Sequence, residues 1–588
     1  MTDGFWWKDP EGDAHQAIFA YVQGLEQRQA YVARRAEAHA SLYANREFTG
    51  GRDTGMPRQF AVTENVIASC VDTATAMIAR SRVRATFQTD GADWSLAQRA
   101  KRLEHFTEAQ FDALHIYDVA QAAFRDACIY GTGGIKVIGD DGDIVVERVV
   151  MGPVCEIIVD EEACNNCEPL ELFQRKFVDK EVLAELYPEH AEDIRSCPPG
   201  YEPYSLRQEK PNQVAVVMAW RLPARKGGAG RYVECIRNCT LVDREYKKDH
   251  FPFVWYRWSQ PLTGFYGQGL AEALVGIQLR LNKLNKFITR CQDLIANPRV
   301  FGNFGAKGPS ARIDNEIGSL INTRDGKPPT FYTPQAVGNE IYQEREYLFK
   351  RAFELTGISQ LSATSKKPSG VEAAVAMREL TDIESQRFAP QAQRYERMFC
   401  DLARLLIETG KEVYKGSEAK QVYKAKRYVE TIPWSDVDPK EDVYLIDVEA
   451  ASTMSRTPAG RLSAVVEMSQ AGLIDTEEGR KLLDHPDLRR TNDLYNAAHD
   501  DIEAVIESLL AGKYEAPEPM QDLGAGIKHV QMAYLKARRD GAPEDVLDLM
   551  RRWMSAAGAL MQQAAPPPPT PQATTPMAAV AQQGAVAV

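Results

Sequence analysis

The sequence predicts an α+β protein of more than one domain, and three observations carry that reading. Long stretches near both ends and in the middle repeat apolar residues at steps of three and four, the period of a helix. Between residues 134 and 258 the pattern changes to short β-like runs separated by Gly, Asp, Asn and Pro, the strand signature. The chain has 588 residues, more than one hydrophobic core usually organises.

The first helices are justified by composition and period. Asp13 to Tyr43 is rich in Ala, Gln, Glu and Arg, and a Gly-rich break follows at residues 49–55. Asn65 to Ser81 repeats Val66, Ile67, Cys70, Ala74, Met77 and Ile78; Trp94 to Tyr130 repeats Leu103, Phe106, Phe111, Leu114, Tyr117 and Phe124. Gly131-Thr132-Gly133-Gly134 then turns the chain from helix into strand. Ile135–Ile138 and Ile144–Val150 form a hairpin signal around Asp141-Gly142. Further strands are expected at 156–159, 170–176, 214–221, 232–237 and 253–258.

From Leu274 a stripe of Leu274, Ile277, Leu281, Leu284, Ile288, Cys291 and Ile295 is opposed by Gln278, Arg280, Asn282, Lys283, Lys286 and Arg290. A helix from Gly269 to Ala296 would be ~40 Å long at about 1.5 Å per residue, and its stripe demands partner helices. Asn297-Pro298 stops it. Residues 299–335 are rich in Gly, Pro, Asn and Thr, with β-like runs at Arg299-Val300-Phe301 and Thr330-Phe331-Tyr332. Helical period resumes at Asn339 (Ile341, Leu348, Ala352, Leu355). The two helices flanking the insertion must therefore lie side by side, because the chain re-enters near where it left. Residues 358–370 are polar and doubly basic, and Val371 to about Glu408 is helical apart from Pro390, which is expected to kink it.

In this succession the chain resembles the portal proteins of tailed bacteriophages. The residues that carry the likeness are the helix Tyr266-Gly267-Gln268-Gly269-Leu270 to Ala296, the insertion after it, the helix Asn339 to Leu355, the loop Gly357 to Gly370 and the helix from Ser369-Gly370-Val371-Glu372 to Ile407. The Tyr130-Gly131-Thr132-Gly133 step belongs to the same likeness, which spans roughly residues 59–511. The resemblance implies a mixed α/β wing (1–265), a first stem helix (266–298), a small β-containing clip (299–338) and a second stem helix (339–356). It further implies a tunnel loop (357–370), a kinked tunnel helix (371–414), a return to the wing (415–455) with strands at 420–432 and 443–450, and a helical crown (456–563). The Pro, Ala, Gln and Thr-rich tail (564–588) is expected to be disordered.

The resemblance also implies a homo-oligomeric, dodecameric ring at one capsid vertex, through which double-stranded DNA is packaged and ejected without sequence readout. Terminase, a head-completion or adaptor protein, and capsid and scaffolding proteins would be its partners, with no membrane involved. The protein would be assembled in the host cytoplasm and carried in the virion. Thr364, Ser365, Lys366 and Lys367 of the loop would touch DNA, lysine being a point charge on a flexible stem suited to transient phosphate contact. Leu274, Ile277, Leu281, Leu284 and Ile288 would join subunits through the stem. The basic residues of that helix either face DNA or pair with Glu344, Glu346 and Glu354 of a neighbouring helix; the second is the expectation.

The remaining composition fits that reading. Net charge is −12, which argues against a phosphate-gripping regulator but suits a conduit along which DNA must slide. No apolar run approaches the ~20 residues that span a bilayer, and the N-terminus lacks a signal-peptide pattern. Ten cysteines are scattered; Cys164-Asn165-Asn166-Cys167 and Cys235 with Cys239 are the close pairs. A zinc site would need both pairs to converge with Cys197, and reduced thiols are the plainer expectation. Gly131-Thr132-Gly133-Gly134-Ile135-Lys136 lacks the phosphate-loop pattern and runs from helix to strand, so a glycine turn is expected. Asp140, Asp141 and Asp143, and Asp436, Asp438, Glu441 and Asp442, read as solvated turns. No catalytic residue, metal or cofactor is assigned. The alternatives are a metal-dependent nucleic-acid-processing enzyme with an acidic site around Asp140 and Asp141, and a monomeric α+β scaffold.

Overall fold

The computed structural model describes residues 6–8, 14–45, 64–79, 82–89, 94–140, 142–200, 212–225, 228–296, 299–301, 330–332, 338–358, 387–414, 420–424, 429–433, 444–450, 465–473 and 489–564. The fold is α+β with several small sheets. It consists of two compact units, Met1–Thr86 with Leu103–Asp438 and Ile446–Ala451, and Phe87–Arg102 with Pro439–Leu445 and Ser452–Val588.

In chain order the elements begin with α1 (Ala14–Arg28), α2 (Ala30–Tyr43), α3 (Val66–Ile78), β1 (Val83–Thr89), α4 (Trp94–Ala113) and α5 (Ile116–Tyr130). Two expected helices are therefore each a pair. Residues 13–43 break at Gln29, and residues 94–130 break at His115, which adopts left-handed backbone (φ 51°). Neither break has a Gly or Pro to announce it, so the apolar period runs across both.

Next come β2 (Thr132–Asp140), β3 (Asp143–Val149), β4 (Ile157–Ile158), β5 (Glu171–Asp179), α6 (Lys180–Leu186), α7 (Ala191–Ser196), β6 (Gln213–Arg221), β7 (Gly230–Cys235), β8 (Thr240–Tyr246) and β9 (Phe253–Arg257). They make a three-stranded sheet, β3-β2-β9, and a five-stranded sheet, β4-β5-β6-β7-β8, antiparallel throughout. Strand β6 shows why these runs read as almost wholly apolar: both of its faces are covered. Val217 and Ala219 pack under α1 with Trp6, Ile18, Val22 and Leu25. On the opposite face Met218 and Trp220 meet Phe253, Phe265 and Tyr266, while Val214 and Val216 meet Leu183 and Ile194 of α6 and α7.

The chain then leaves the sheets as α8 (Leu270–Ala296), continues through β10 (Arg299–Phe301) and β11 (Thr330–Tyr332), and returns as α9 (Asn339–Thr356). α10 (Ala389–Val413) packs on β2, β3 and β9. An aromatic chain seats it: Phe124 lies 4.9 Å from Tyr256 and 5.2 Å from Tyr395, which lies 5.2 Å from Phe399, ring centre to ring centre. Arg387 is helical, Phe388 is a turn, and Pro390 stands in the first turn of α10, where its missing N–H costs nothing.

The late strands β12 (Lys420–Lys424), β13 (Val429–Pro433) and β14 (Tyr444–Ala450) do not join the two larger sheets. β12 pairs with β13, and β14 pairs with β1. In the second unit α11 (Arg489–Leu510), α12 (Leu523–Arg539) and α13 (Glu544–Ala564) pack around Val505, Leu509, Val530, Met550 and Trp553. The Asp522 side chain caps α12 by accepting from Ala525 N at 3.1 Å. Among the described residues no helix is long and apolar enough to cross a membrane. Most of the expected clip, residues 371–386 of the expected tunnel helix and the tail beyond 564 lie outside the described residues.

Candidate functional site

The element most able to do something beyond packing is the helical hairpin of α8 and α9, so its base matters first. Two glycine motifs noted in the sequence meet there backbone to backbone. Gly131 ends α5 in left-handed conformation (φ 98°), and a Cβ on it would stand 2.1 Å from the carbonyl oxygen of Gly267. A Cβ on Gly267 would stand 2.6 Å from the oxygen of Gly131. Thr132 Oγ1 accepts from Gly267 N at 2.8 Å, and Trp258 N donates to Gly131 O at 3.2 Å. The helix-to-strand step and the start of α8 are thus one joint. Gly131-Thr132-Gly133-Gly134 is a turn into a sheet and not a phosphate cradle.

Polar side chains fix the direction of α8. Gln278, only 1% exposed, accepts from Val66 N at 2.8 Å and donates to Glu64 O at 2.7 Å, so it satisfies the start of α3 from the side. Arg345 on α9 pairs with Glu64, and Arg280 on α8 with Glu344 on α9 at 2.7 Å. The expected basic–acidic pairing therefore exists, but between two helices of one chain. Glu354 pairs with Arg351 of its own helix at 3.1 Å.

The apolar stripe of α8 is likewise used within the chain. Leu274 and Leu281 are fully buried, Leu284 and Ile288 nearly so, and Ile277 half-buried, with α3, α5 and α9 packed against the helix. Within one chain, then, α3, α5 and α9 already cover Leu274, Leu281, Leu284 and Ile288, while Ile277 stays half-buried. What α8 and α9 expose instead are Leu279, Phe287, Tyr347 and Leu355, at 47%, 48%, 63% and 43%. Sequence reading missed this second face because Lys283, Lys286 and Arg290 interrupt it.

Two excursions leave the hairpin and come back to their point of departure. At its far end Arg299 pairs with Tyr332 and Phe301 with Thr330, a short ladder that closes residues 302–329 into a loop. At its base Gly357 ends α9 in left-handed conformation (φ 74°). Arg387, where the described chain resumes, donates to the carbonyl oxygens of Leu355 at 3.1 Å and Glu354 at 3.5 Å. Residues 359–386 thus start and finish at the same place. Thr364, Ser365, Lys366 and Lys367 belong to this excursion and lie outside the described residues.

A separate cavity of about 820 Å³ opens between β2, β6, α6 and the end of α10. Its one buried charge is Lys136, 4% exposed, whose Nζ donates to Gln174 Oε1 at 2.8 Å and lies over the rings of Trp220 and Phe253 at 5.2 and 5.8 Å. Burial, with the nearby Lys176 charge adding to it, brings the Lys136 ammonium down to about 8. This arrangement clamps a cation between aromatic rings, and its consequence is a measurable pH dependence. Below about pH 8 folded and unfolded chains both hold the proton. Between there and the ordinary lysine value the unfolded chain keeps a proton that the folded chain has lost, so Lys136 gains stability as pH rises. We expect wild type to gain about 3 kcal/mol relative to Lys136→Met between about pH 7 and about pH 10, read from urea midpoints. A difference that stays constant over that range would show that Lys136 is not held in this state.

The acidic turn offers little chemistry. Asp140 and Asp143 face each other across the β2–β3 hairpin and are both solvent-exposed, while Asp141 lies outside the described residues. Asp436, Asp438, Glu441 and Asp442 also lie outside them. The two cysteine pairs do not converge: Cys164 sits by Asp160 and Arg257, whereas Cys235 is buried under α1 and Cys239 packs beside α7. All ten cysteines are free thiols. A scan of protein-family models finds no match to this sequence, and a search of curated proteins likewise finds none.

Proposed function

We propose that this chain is a portal-type subunit, one copy in a non-enzymatic ring through which double-stranded DNA enters and leaves a phage capsid. One observation carries the reading: α8, ~40 Å long, and the shorter α9 form a helical hairpin closed at its far end by the β10–β11 ladder and met at its base by Arg387. A ring would use such an element, because it needs a wall, a tip for docking and a loop that reaches the bore.

On this reading residues 302–329 meet terminase during packaging and an adaptor protein afterwards, and the second excursion brings Lys366 and Lys367 to phosphates. Contacts would be to the DNA backbone alone, since any genome sequence must pass. The expected wing and crown would face capsid shell and packaged DNA. The net charge of −12 supports sliding over gripping.

Electron microscopy of the purified full chain tests this directly. Rings viewed end-on, with a central hole of roughly 20–30 Å to pass a duplex, are the expected result. Compact single particles at every concentration would sink it.

A further inference from the structure

Beside the five-stranded sheet, away from the hairpin, a short helical stretch faces the turn between β7 and β8. The 3-10 turn Pro188–His190 runs straight into α7, with His190 at its N-terminal edge, Asp193 in its first turn and Cys197 just past its end. Cys239 projects toward that stretch from the turn. The imidazole of His190, the carboxylate of Asp193 and the sulfur of Cys239 place their donor atoms within 4.8 Å of one another. The sulfur of Cys197 abuts the same turn and takes hydrogen bonds from the backbone N–H groups of Arg237 and Asn238. Those amides favour the thiolate, but burial outweighs them and holds the Cys197 thiol above its ordinary value, so ligation there must displace a proton.

We propose that these residues form a Zn²⁺-class metal site, with His190, Asp193 and Cys239 as ligands and Cys197 as the fourth. The donor set decides the class. One nitrogen, one carboxylate oxygen and two sulfurs suit a borderline-soft tetrahedral ion and not Mg²⁺ or Ca²⁺, which take oxygen ligands. Bonds of about 2.0–2.3 Å would draw donors to roughly 3.3–3.8 Å apart, a contraction of about 1 Å. Side-chain rotation can supply it, because Asp193 is exposed and His190 and Cys239 are only half-buried. Binding releases the thiol protons to solvent. Burial pushes the Cys239 thiol up to about 11, so affinity rises with pH. The ion would pin α7 to the sheet edge, adding to the packing of Ile194 and Cys197 and to the hydrogen bond from Lys180 to Cys197 O at 2.6 Å. The inference is independent of the channel reading.

The test is a Co²⁺ titration of the full chain, purified under reductant and stripped with chelator. One Co²⁺ per chain is expected, with tetrahedral visible absorption and a thiolate-to-cobalt charge-transfer band, both displaced by Zn²⁺. Cys239→Ser should abolish the charge-transfer intensity from that sulfur. Asp193→Asn, which alters an exposed side chain and leaves the core intact, should weaken binding at least about tenfold. Cys164→Ser should change nothing. Absent cobalt absorption, or absorption unchanged in both Cys239→Ser and Asp193→Asn, would overturn the site. So would a Cys197–Cys239 disulfide that survives reductant and excludes the metal.

Discussion

Replacing Gly131 or Gly267 by alanine is expected to abolish folding of the first unit, with the chain recovered insoluble or without a cooperative thermal transition. Two effects add at Gly131. Its φ of 98° lies where L side chains are strained by about 1–2 kcal/mol, and its new Cβ would stand 2.1 Å from Gly267 O. The obstacle is backbone, not the far end of a flexible side chain, so relief requires moving either the start of α8 or the strand β2. Moving either breaks the bonds from Gly267 N to Thr132 and from Trp258 N to Gly131 O. The sum reaches the order of a whole domain's stability, about 5–15 kcal/mol. Gly276→Ala is the control. It lies mid-helix on α8 with nothing within 4 Å of the new Cβ, so it should stabilise by about 0.5–1 kcal/mol. If Gly131→Ala and Gly276→Ala melt alike by circular dichroism, the joint does not exist as described.

What the sequence disclosed follows from the physics of each element. α8 and α9 were legible to within a residue or so because their burial is one-sided and repeats with the helical period. β10 and β11 were legible as three-residue β-like runs bounded by turn formers. β8 was not: Thr240–Tyr246 is an edge strand, its residues mostly half-buried or exposed, so Asp243, Arg244 and Glu245 erase the alternation. β1 alternates Val83, Ala85 and Phe87 inward and still went unread, because one short run far from its partner β14 has no hairpin signal. The site residues divide in the same way. His190, Asp193 and Cys197 stand close together in the sequence, which spacing could have flagged. Cys239 joins them only through the β7–β8 turn, and no local pattern records that. Lys136 reads as a charged residue in a strand, and only the packing of β6 and β9 around it makes it buried. The leucine stripe of α8 was read as apolar correctly, but spacing says only that a face is covered and never by whom.

The substitution pair Leu279→Asp and Phe287→Asp follows from that last distinction, and it should leave the fold intact while preventing assembly. Both side chains are about half exposed in the single chain, so removing them costs its stability within about 0.5 kcal/mol. If the hairpin stands in a ring, the same residues meet the neighbouring copy. Losing the burial of one Leu and one Phe forfeits about 1.5–3 kcal/mol each, and a carboxylate facing an apolar wall adds to that. Each interface should then weaken at least about a hundredfold, and because every subunit carries two interfaces the closed ring is lost cooperatively. Leu281→Ala separates this effect from folding: it removes a fully buried side chain, so it should cost about 2–5 kcal/mol of stability. Sedimentation velocity and thermal melts together read all three. A double variant with a wild-type melt that sediments as a monomer beside a ring-forming wild type places the seam on the exposed face of α8. A double variant that still closes rings moves the seam elsewhere and leaves the channel standing. A wild type that is monomeric at every concentration removes the need for any seam, and with it the reason for a ~40 Å hairpin to expose apolar residues to water.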